Sequence, residues 1–317
     1  MSDIKLFRVE GDQATELEAS GVQIERTLQR LFERHLETLL GIRFLASEYS
    51  TGAAHGGRID TLGIDEDGSP VIIEYKRAVG ENVINQGLFY LDWLLDHRRE
   101  FQWLVMDVLG KDAADRVEWA SPRLLCVASD FTRYDGHAVK QIQRNIELLR
   151  YRRFGDALLM LELVHAPVAN VQRARPIRDA APPQSTGIDS GAAGAGPPRS
   201  DLIAYRLANA SEEMRRIWDM AVDTLSALGD DVQVKELKLY HAFKRLKNFA
   251  CIELYPTKSE MLVHLKLDPD TVILEPGFTR DMRGIGHFGT GDLQVTVRSG
   301  DDIAKALPLF QRAYEGS

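Results

Sequence analysis

The sequence predicts an α/β protein in two parts, a mixed-sheet core flanked by helices and then a small α+β domain. Three observations carry that reading. Between residues 20 and 165 the apolar spacing runs helix, three strands, helix, strand, switching between a period near 3.6 and strand-like runs. Residues 166–201 are rich in Ala, Gly, Pro and Ser, and after Ile177 their only large apolar residue is Ile188. From residue 202 helical and strand patterns resume. A chain of 317 residues suits two domains of ordinary size.

The elements follow in order. Ile4 to Glu10 is a short edge strand. Gln23 to Leu40 is a helix with apolar residues at Ile24, Leu28, Leu31, Phe32, Leu36, Leu39 and Leu40, stopped by Gly41. Arg43 to Ser50 is the first core strand, followed by a small-residue loop holding His55, which reads as solvated. Ile59, Leu62 and Ile64 run into the turn-forming 65–70, and Val71, Ile72 and Ile73 run out of it, giving a hairpin. Glu81 to His97 is a helix with Gln86, Tyr90, Trp93 and His97 along one side. Pro122 to Ser129 is a buried strand, Ala138 to Arg150 a helix, and Ala157 to His165 a last strand. This makes 1–165 the first domain and 166–201 a flexible linker that cannot bury enough surface to order itself. In the second domain, 202–317, helices are expected at Met214 to Leu228 and Asp301 to Tyr314. Strands are expected at Ala250 to Tyr255, Met261 to Leu267 and Asp292 to Arg298. Gly284 to Asp292 lacks the lysine and the strand-to-helix context of a phosphate loop and reads as a turn.

Charges interrupt the apolar hairpin at one end. Asp60 is separated by thirteen residues from Glu74-Tyr75-Lys76. Carboxylates and an ammonium on a buried strand are costly unless they are paired or hold a metal. Alternation puts Glu74 and Lys76 on one face of their strand, so the three charges converge only if Asp60 stands opposite Glu74 or Lys76. A register with Asp60 opposite Tyr75 would separate them. Converging Asp60 and Glu74 suit Mg²⁺ or Mn²⁺, hard ions that take oxygen ligands and bind substrate phosphate. Lys76 would orient water or stabilise developing negative charge. The alternative is a surface ion pair at a hairpin end.

Composition bounds the rest. The chain is 44% hydrophobic and 27% charged, as in soluble globular proteins, with no membrane-length apolar run and no secretory signature at its start. Cys126 and Cys251 lie in separate domains within apolar runs and read as buried thiols of a reducing compartment, so a cytoplasmic location is expected. A net charge of −8 argues against a protein that coats nucleic acid, though local fields differ from net charge. Arg150 and Arg152, with Arg144 and Arg153, form a basic cluster in RNIELLRYRR, and Arg77 lies just past the hairpin. Each reads alone as a solvated residue, and together they would line a phosphate track. In the second half, Lys238, Tyr240, Phe243, Lys244, Arg245, Lys247 and Phe249 are either a base-stacking surface or core aromatics with solvated lysines.

Gly57-Arg58-Ile59-Asp60, the hairpin, Glu74-Tyr75-Lys76 and Gln86 occur in one order over roughly residues 20 to 165. That set resembles the PD-(D/E)XK nuclease superfamily, and within it the branch around the DUF91 and NucS-type endonucleases. The residue before the first aspartate is Ile59 where the superfamily often has proline. The resemblance implies a restriction-endonuclease-like αβββαβ core and a Mg²⁺- or Mn²⁺-dependent endonuclease. It implies Asp60 and Glu74 as metal ligands, and Lys76 as the residue that positions water. A glutamate on the first helix, Glu25 with Glu33 as the second choice, would ligate through water or hold a second ion. Gln86 would steady Lys76 or the phosphate. Arg58, Arg77, Tyr90, Arg150 and Arg152 would contact nucleic acid, DNA ahead of RNA, and a double-strand cut would favour a homodimer. The second half resembles a DUF5655-type module. The competing reading is a catalytically silent nucleic-acid-binding or regulatory protein that keeps the fold.

Overall fold

A computed structural model describes residues 4–20, 25–76, 83–155, 157–166 and 202–317. They fall into two units, Met1–Pro167 and Val168–Ser317. The expected linker at 166–201 lies outside the described residues except for Ala166, and so does Arg77.

The first unit opens with an exposed hairpin, β1 (Leu6–Glu10) and β2 (Gln13–Leu17), and a short β3 (Ala19–Ser20). The core then runs α1 (Glu25–Leu40), β4 (Ile42–Ser50), a single turn α2 (Gly52–His55), β5 (Arg58–Asp65), β6 (Pro70–Lys76) and α3 (Val83–Asp96). Two helices the apolar spacing does not announce, α4 (Arg98–Leu109) and α5 (Lys111–Asp115), precede β7 (Arg123–Ala128), α6 (Arg133–Gln141), β8 (Asn145–Phe154) and β9 (Leu158–His165). The expected αβββαβ order is therefore present, as α1-β4-β5-β6-α3-β7. The sheet is mixed, with strand order β3-β8-β7-β6-β5-β4 and β9 paired to β8. β4, β5 and β6 form an antiparallel meander, while β6, β7 and β8 run parallel.

Local chemistry fixes each piece. α1 buries Leu28, Phe32, Leu36 and Leu40, and Phe32 meets Tyr75 of β6 edge to face at 5.6 Å. Gly41, at φ 63°, takes the left-handed conformation that ends the helix. The β5–β6 turn is held by Asp65, whose Oδ1 accepts from the backbone N–H groups of Asp67 (3.0 Å) and Ser69 (2.8 Å). α3 packs on the sheet face opposite α1, and there Gly87 lies against Leu124. A Cβ on Gly87 would stand 2.5 Å from Leu124 Cδ1. Gly87→Ala is therefore expected to destabilise the first unit by about 1–3 kcal/mol, as overpacked cores do; a urea midpoint equal to wild type would show that α3 can slide instead.

The helix expected at Ala138 to Arg150 is a correction. The helix sits earlier, at α6, because Thr132 and Asp135 form a reciprocal capping box at its start. Residues 145–154 instead make β8, with Ile146, Leu148, Leu149 and Tyr151 all buried. A strand covered on both faces carries a continuous apolar run, which a helical reading also accommodates.

The second unit is a six-stranded sheet in the order β10-β11-β12-β13-β15-β14. Its strands are β10 (Gln233–Glu236), β11 (His241–Lys244), β12 (Asn248–Tyr255), β13 (Glu260–Leu265), β14 (Thr279–Asp281) and β15 (Leu293–Val297). A short α7 (Ile203–Ala208) and two long helices, α8 (Glu212–Ser226) and α9 (Gly300–Glu315), belong to it. Trp218, Ala221 and Leu225 of α8 and Ala306 and Phe310 of α9 share one core with Ile252, Val263 and Val295 of the sheet. Phe243 and Phe249 are fully buried in that core, and Tyr240 and Lys244 are buried too, so this segment offers no row of exposed stacking aromatics. Gly284 to Asp292 contains only turns and irregular backbone. No described helix is long and apolar enough to cross a membrane.

Candidate active site

The site forms where the β5–β6 ladder gives way. Its last main-chain pairs are Leu62 opposite Ile72 and Thr61 opposite Ile73, so continuing the register sets Asp60 opposite Glu74. This is the converging register, and no bulge interrupts it. At Asp60 side chains take over from the ladder. The Asp60 N–H donates to Glu74 Oε1 at 3.2 Å, and the Tyr75 N–H donates to Asp60 Oδ2 at 3.0 Å. The two carboxylates therefore lie between the strands at the carboxyl end of β6, the end where open α/β sheets place ligands.

Glu74 is fully buried. Its Oε1 has the Asp60 N–H, while Oε2 is buried without a hydrogen-bond partner. Burial, and then the Asp60 charge beside it, push the Glu74 carboxyl up to about 9. Burial also raises Asp60, against the Tyr75 N–H and Lys76, which favour its charged form. Burial alone would lower Lys76, yet Glu25, Asp60 and Glu74 together outweigh it and the ammonium is held above its usual range. A fully buried Glu74 with one orphaned oxygen beside a half-buried Asp60 is a site short of positive charge, and hard oxygen donors of this kind fit Mg²⁺ or Mn²⁺.

Glu25, in the first turn of α1, stands 3.5 Å from Lys76 Nζ. Among the described residues no three His, Cys, Asp or Glu side chains gather closely enough to hold one ion. Asp60 and Glu74 are thus a pair, with Glu25 on the lysine rather than beside them. Glu33 is elsewhere, accepting from Thr61 Oγ1 at 2.7 Å. Gln86, half-buried on α3, donates to Tyr90 Oη at 3.2 Å and not to Lys76.

The expected nucleic-acid contacts divide. Arg58 has an exposed side chain, and its Nε lies 2.5 Å from Glu48 Oε2. Glu48 itself holds φ 53°, a left-handed conformation unusual for a non-glycine residue inside a strand. Arg152 is half-buried on β8. Two expectations are corrected. Arg150 is buried and bound to Asp130 (2.8 Å) and Glu162 (2.9 Å), which keeps it from meeting a phosphate. Tyr90 is buried as well, and its hydroxyl accepts from the Arg58 N–H at 3.2 Å. A Cβ on Gly57 would fall 2.5 Å from the Tyr90 ring, so the glycine of the Gly57-Arg58-Ile59-Asp60 segment makes room for that packing.

One residue at the site has no counterpart among the expected ones. Gln29, on α1 and 5% exposed, donates from Nε2 to the Asp60 carbonyl at 2.8 Å. The signal for it was its place between Glu25 and Glu33 at four-residue spacing, which puts all three on one helix face.

Residues 206–317 match the family model described as "Domain of unknown function (DUF5655)". An uncharacterised protein of Haemophilus influenzae is 24% identical over 322 residues, covering 98% of this chain and 100% of the relative. Among solved structures, a repair endonuclease from Pyrococcus abyssi is similar at 16% identity over 41% of this chain, with a TM-score of 0.23. A complex of EndoMS with double-stranded DNA is similar at 22% identity over 45% of this chain, also at 0.23. The chain spans about half the length of each of these two structures, at 49%.

Proposed function

We propose that the first unit is a metal-dependent phosphodiesterase acting on DNA. The observation that carries this is the pair of half-buried Asp60 and fully buried Glu74, brought opposite each other with Glu74 Oε2 unpartnered and Lys76 beside them. Asp60 and Glu74 would hold Mg²⁺ or Mn²⁺, which when bound lowers the pKa of water and neutralises charge on the phosphate. Lys76 keeps its proton and is tethered by Glu25, so it presents a fixed positive charge to an attacking water or a developing oxyanion. Tyr75 N–H holds the Asp60 carboxylate in place. Gln86 and Tyr90 brace the Arg58 peptide, leaving the Arg58 side chain to reach a phosphate if it leaves Glu48. The choice of DNA follows the sequence resemblance.

Asp60→Ala and Lys76→Ala are each expected to lower Mn²⁺-dependent cleavage by 10³-fold or more, on the order of what one preorganised charge contributes at such a site, with the circular dichroism of the wild type. The assay uses single-stranded, branched and mismatched DNA, with RNA alongside. Cleavage by Asp60→Ala at the wild-type rate would remove the site; cleavage of RNA alone would redirect the substrate.

A further inference from the structure

We infer that Gln29 is a positioning residue for the Asp60 carboxylate, acting through the Asp60 peptide; the inference rests on reading Asp60 and Glu74 as the catalytic pair. At Asp60 the ladder is surrendered to side chains, since its N–H goes to Glu74 and the Tyr75 N–H comes to its carboxylate. A main-chain carbonyl at such a break still needs a donor. Gln29 Nε2 supplies it at 2.8 Å from a helix that packs on the sheet.

The amide is itself oriented. Its nitrogen also faces Glu33 Oε1 at 3.0 Å and Ser47 Oγ at 3.2 Å, so three acceptors surround Nε2. A carboxylate can only accept, which sets the nitrogen and not the oxygen toward Asp60. Glu33 is in turn fixed by the Thr61 hydroxyl, one residue beyond Asp60 on β5. Glu25, Gln29 and Glu33 thus form a polar stripe on α1 that grips the site at three points: the Lys76 ammonium, the Asp60 peptide and the Thr61 side chain. A ligand carboxylate must be held within about 0.5 Å of its working position. A strut from helix to strand provides that rigidity where the ladder no longer does.

The test uses the full chain. Gln29→Met keeps length and an apolar stem but removes the donor. Because Tyr75 N–H bonds the Asp60 carboxylate, its hydrogen exchange in metal-free protein reports that carboxylate's position. Exchange at Tyr75 is expected to quicken by about tenfold or more, since the carbonyl beside it is orphaned, while Leu124 and Val127 keep wild-type protection. The Mn²⁺ concentration giving half the thermal shift is expected to rise about 10- to 100-fold, as when supporting partners of metal ligands are lost. Should Gln29→Met not fold, Glu33→Gln, which frees the amide to flip, must move both readouts in the same direction. Unchanged Tyr75 exchange in the folded variant overturns the assignment. If wild type takes up no Mn²⁺ the metal reading falls by itself, and the Tyr75 amide, which needs no metal, still decides the role of Gln29.

Discussion

Glu74→Gln should flatten the pH dependence of stability in the metal-free protein and abolish stabilisation by Mn²⁺. The sign follows from proton linkage. Glu74 is pushed from the ordinary 4.5 to about 9 in the folded chain, chiefly by burial. Below pH 4.5 both folded and unfolded chains carry the proton, and no difference arises. Between 4.5 and 9 the unfolded chain has released it while the folded chain keeps it, so stability falls as pH rises, by about 1.4 kcal/mol per pH unit. Glutamine carries no such proton, so that part of the slope disappears, and the variant should be as stable as wild type near pH 5 and more stable at pH 8. Metal acts in the opposite sense, and on wild type alone. An ion displaces the proton from the carboxyl, so Mn²⁺ uptake should strengthen with pH across the same window. At 100 times its dissociation constant it would add about 2.7 kcal/mol. Thermal melts at pH 5, 7 and 8, with and without Mn²⁺, read both effects. A variant that keeps the wild-type slope would show that Glu74 is not the buried acid, and one that Mn²⁺ stabilises as it does wild type would show that it is not the ligand.

The same contrast between burial and charge explains how much of the site was legible in the sequence. Asp60, Glu74 and Lys76 stood out because they interrupt apolar strand patterns, and alternation alone told which register would bring them together. The structure adopts that register. Gln29 could not be seen this way, because a glutamine beside Leu28 on an amphipathic helix looks the same whether it meets solvent or a strand carbonyl 31 residues away. Arg150 misled for the opposite reason. In sequence it belongs to a basic cluster, while in the sheet its partners come from Asp130 and from Glu162 on the neighbouring strand. Strand β8 was lost to a helix because Ile146, Leu148 and Leu149 satisfy either period when both faces are buried. Strand β1 was legible within Ile4 to Glu10, whereas its partner β2 and the short β10 carry too few large apolar residues to announce a strand.

Arg123→Met should cost the first unit about 3–5 kcal/mol, the loss expected when one partner of a buried ion pair is removed. Arg123 opens β7 at the end of the parallel strands away from Asp60 and Glu74. Its Nε and Nη2 donate to Glu147 Oε1 and Oε2 at 2.7 and 2.8 Å, a bidentate pair with β8. Its Nη1 donates to Asp65 Oδ2 of β5 at 3.2 Å. All three side chains are nearly inaccessible, at 3%, 2% and 5%. One guanidinium therefore ties β5, β7 and β8 together across β6 and is shared by two buried carboxylates. Methionine fills the volume but takes the bidentate guanidinium from buried Glu147 and one donor from buried Asp65, and that loss of charge-assisted bonds outweighs any missing packing. The double variant Arg123→Met with Glu147→Leu should recover part of it, since the carboxylate that loses two donors is gone as well. Urea unfolding of the full chain, followed by signals of the first unit, measures both. A single variant within 1 kcal/mol of wild type, a bound set by ordinary surface ion pairs of about that size, would mean water reaches the cluster and the strands are pinned by apolar contacts alone. A large loss would place the rigid end of the sheet at Arg123, leaving the Asp60–Glu74 end, where the ladder opens, as the part held by side chains from α1.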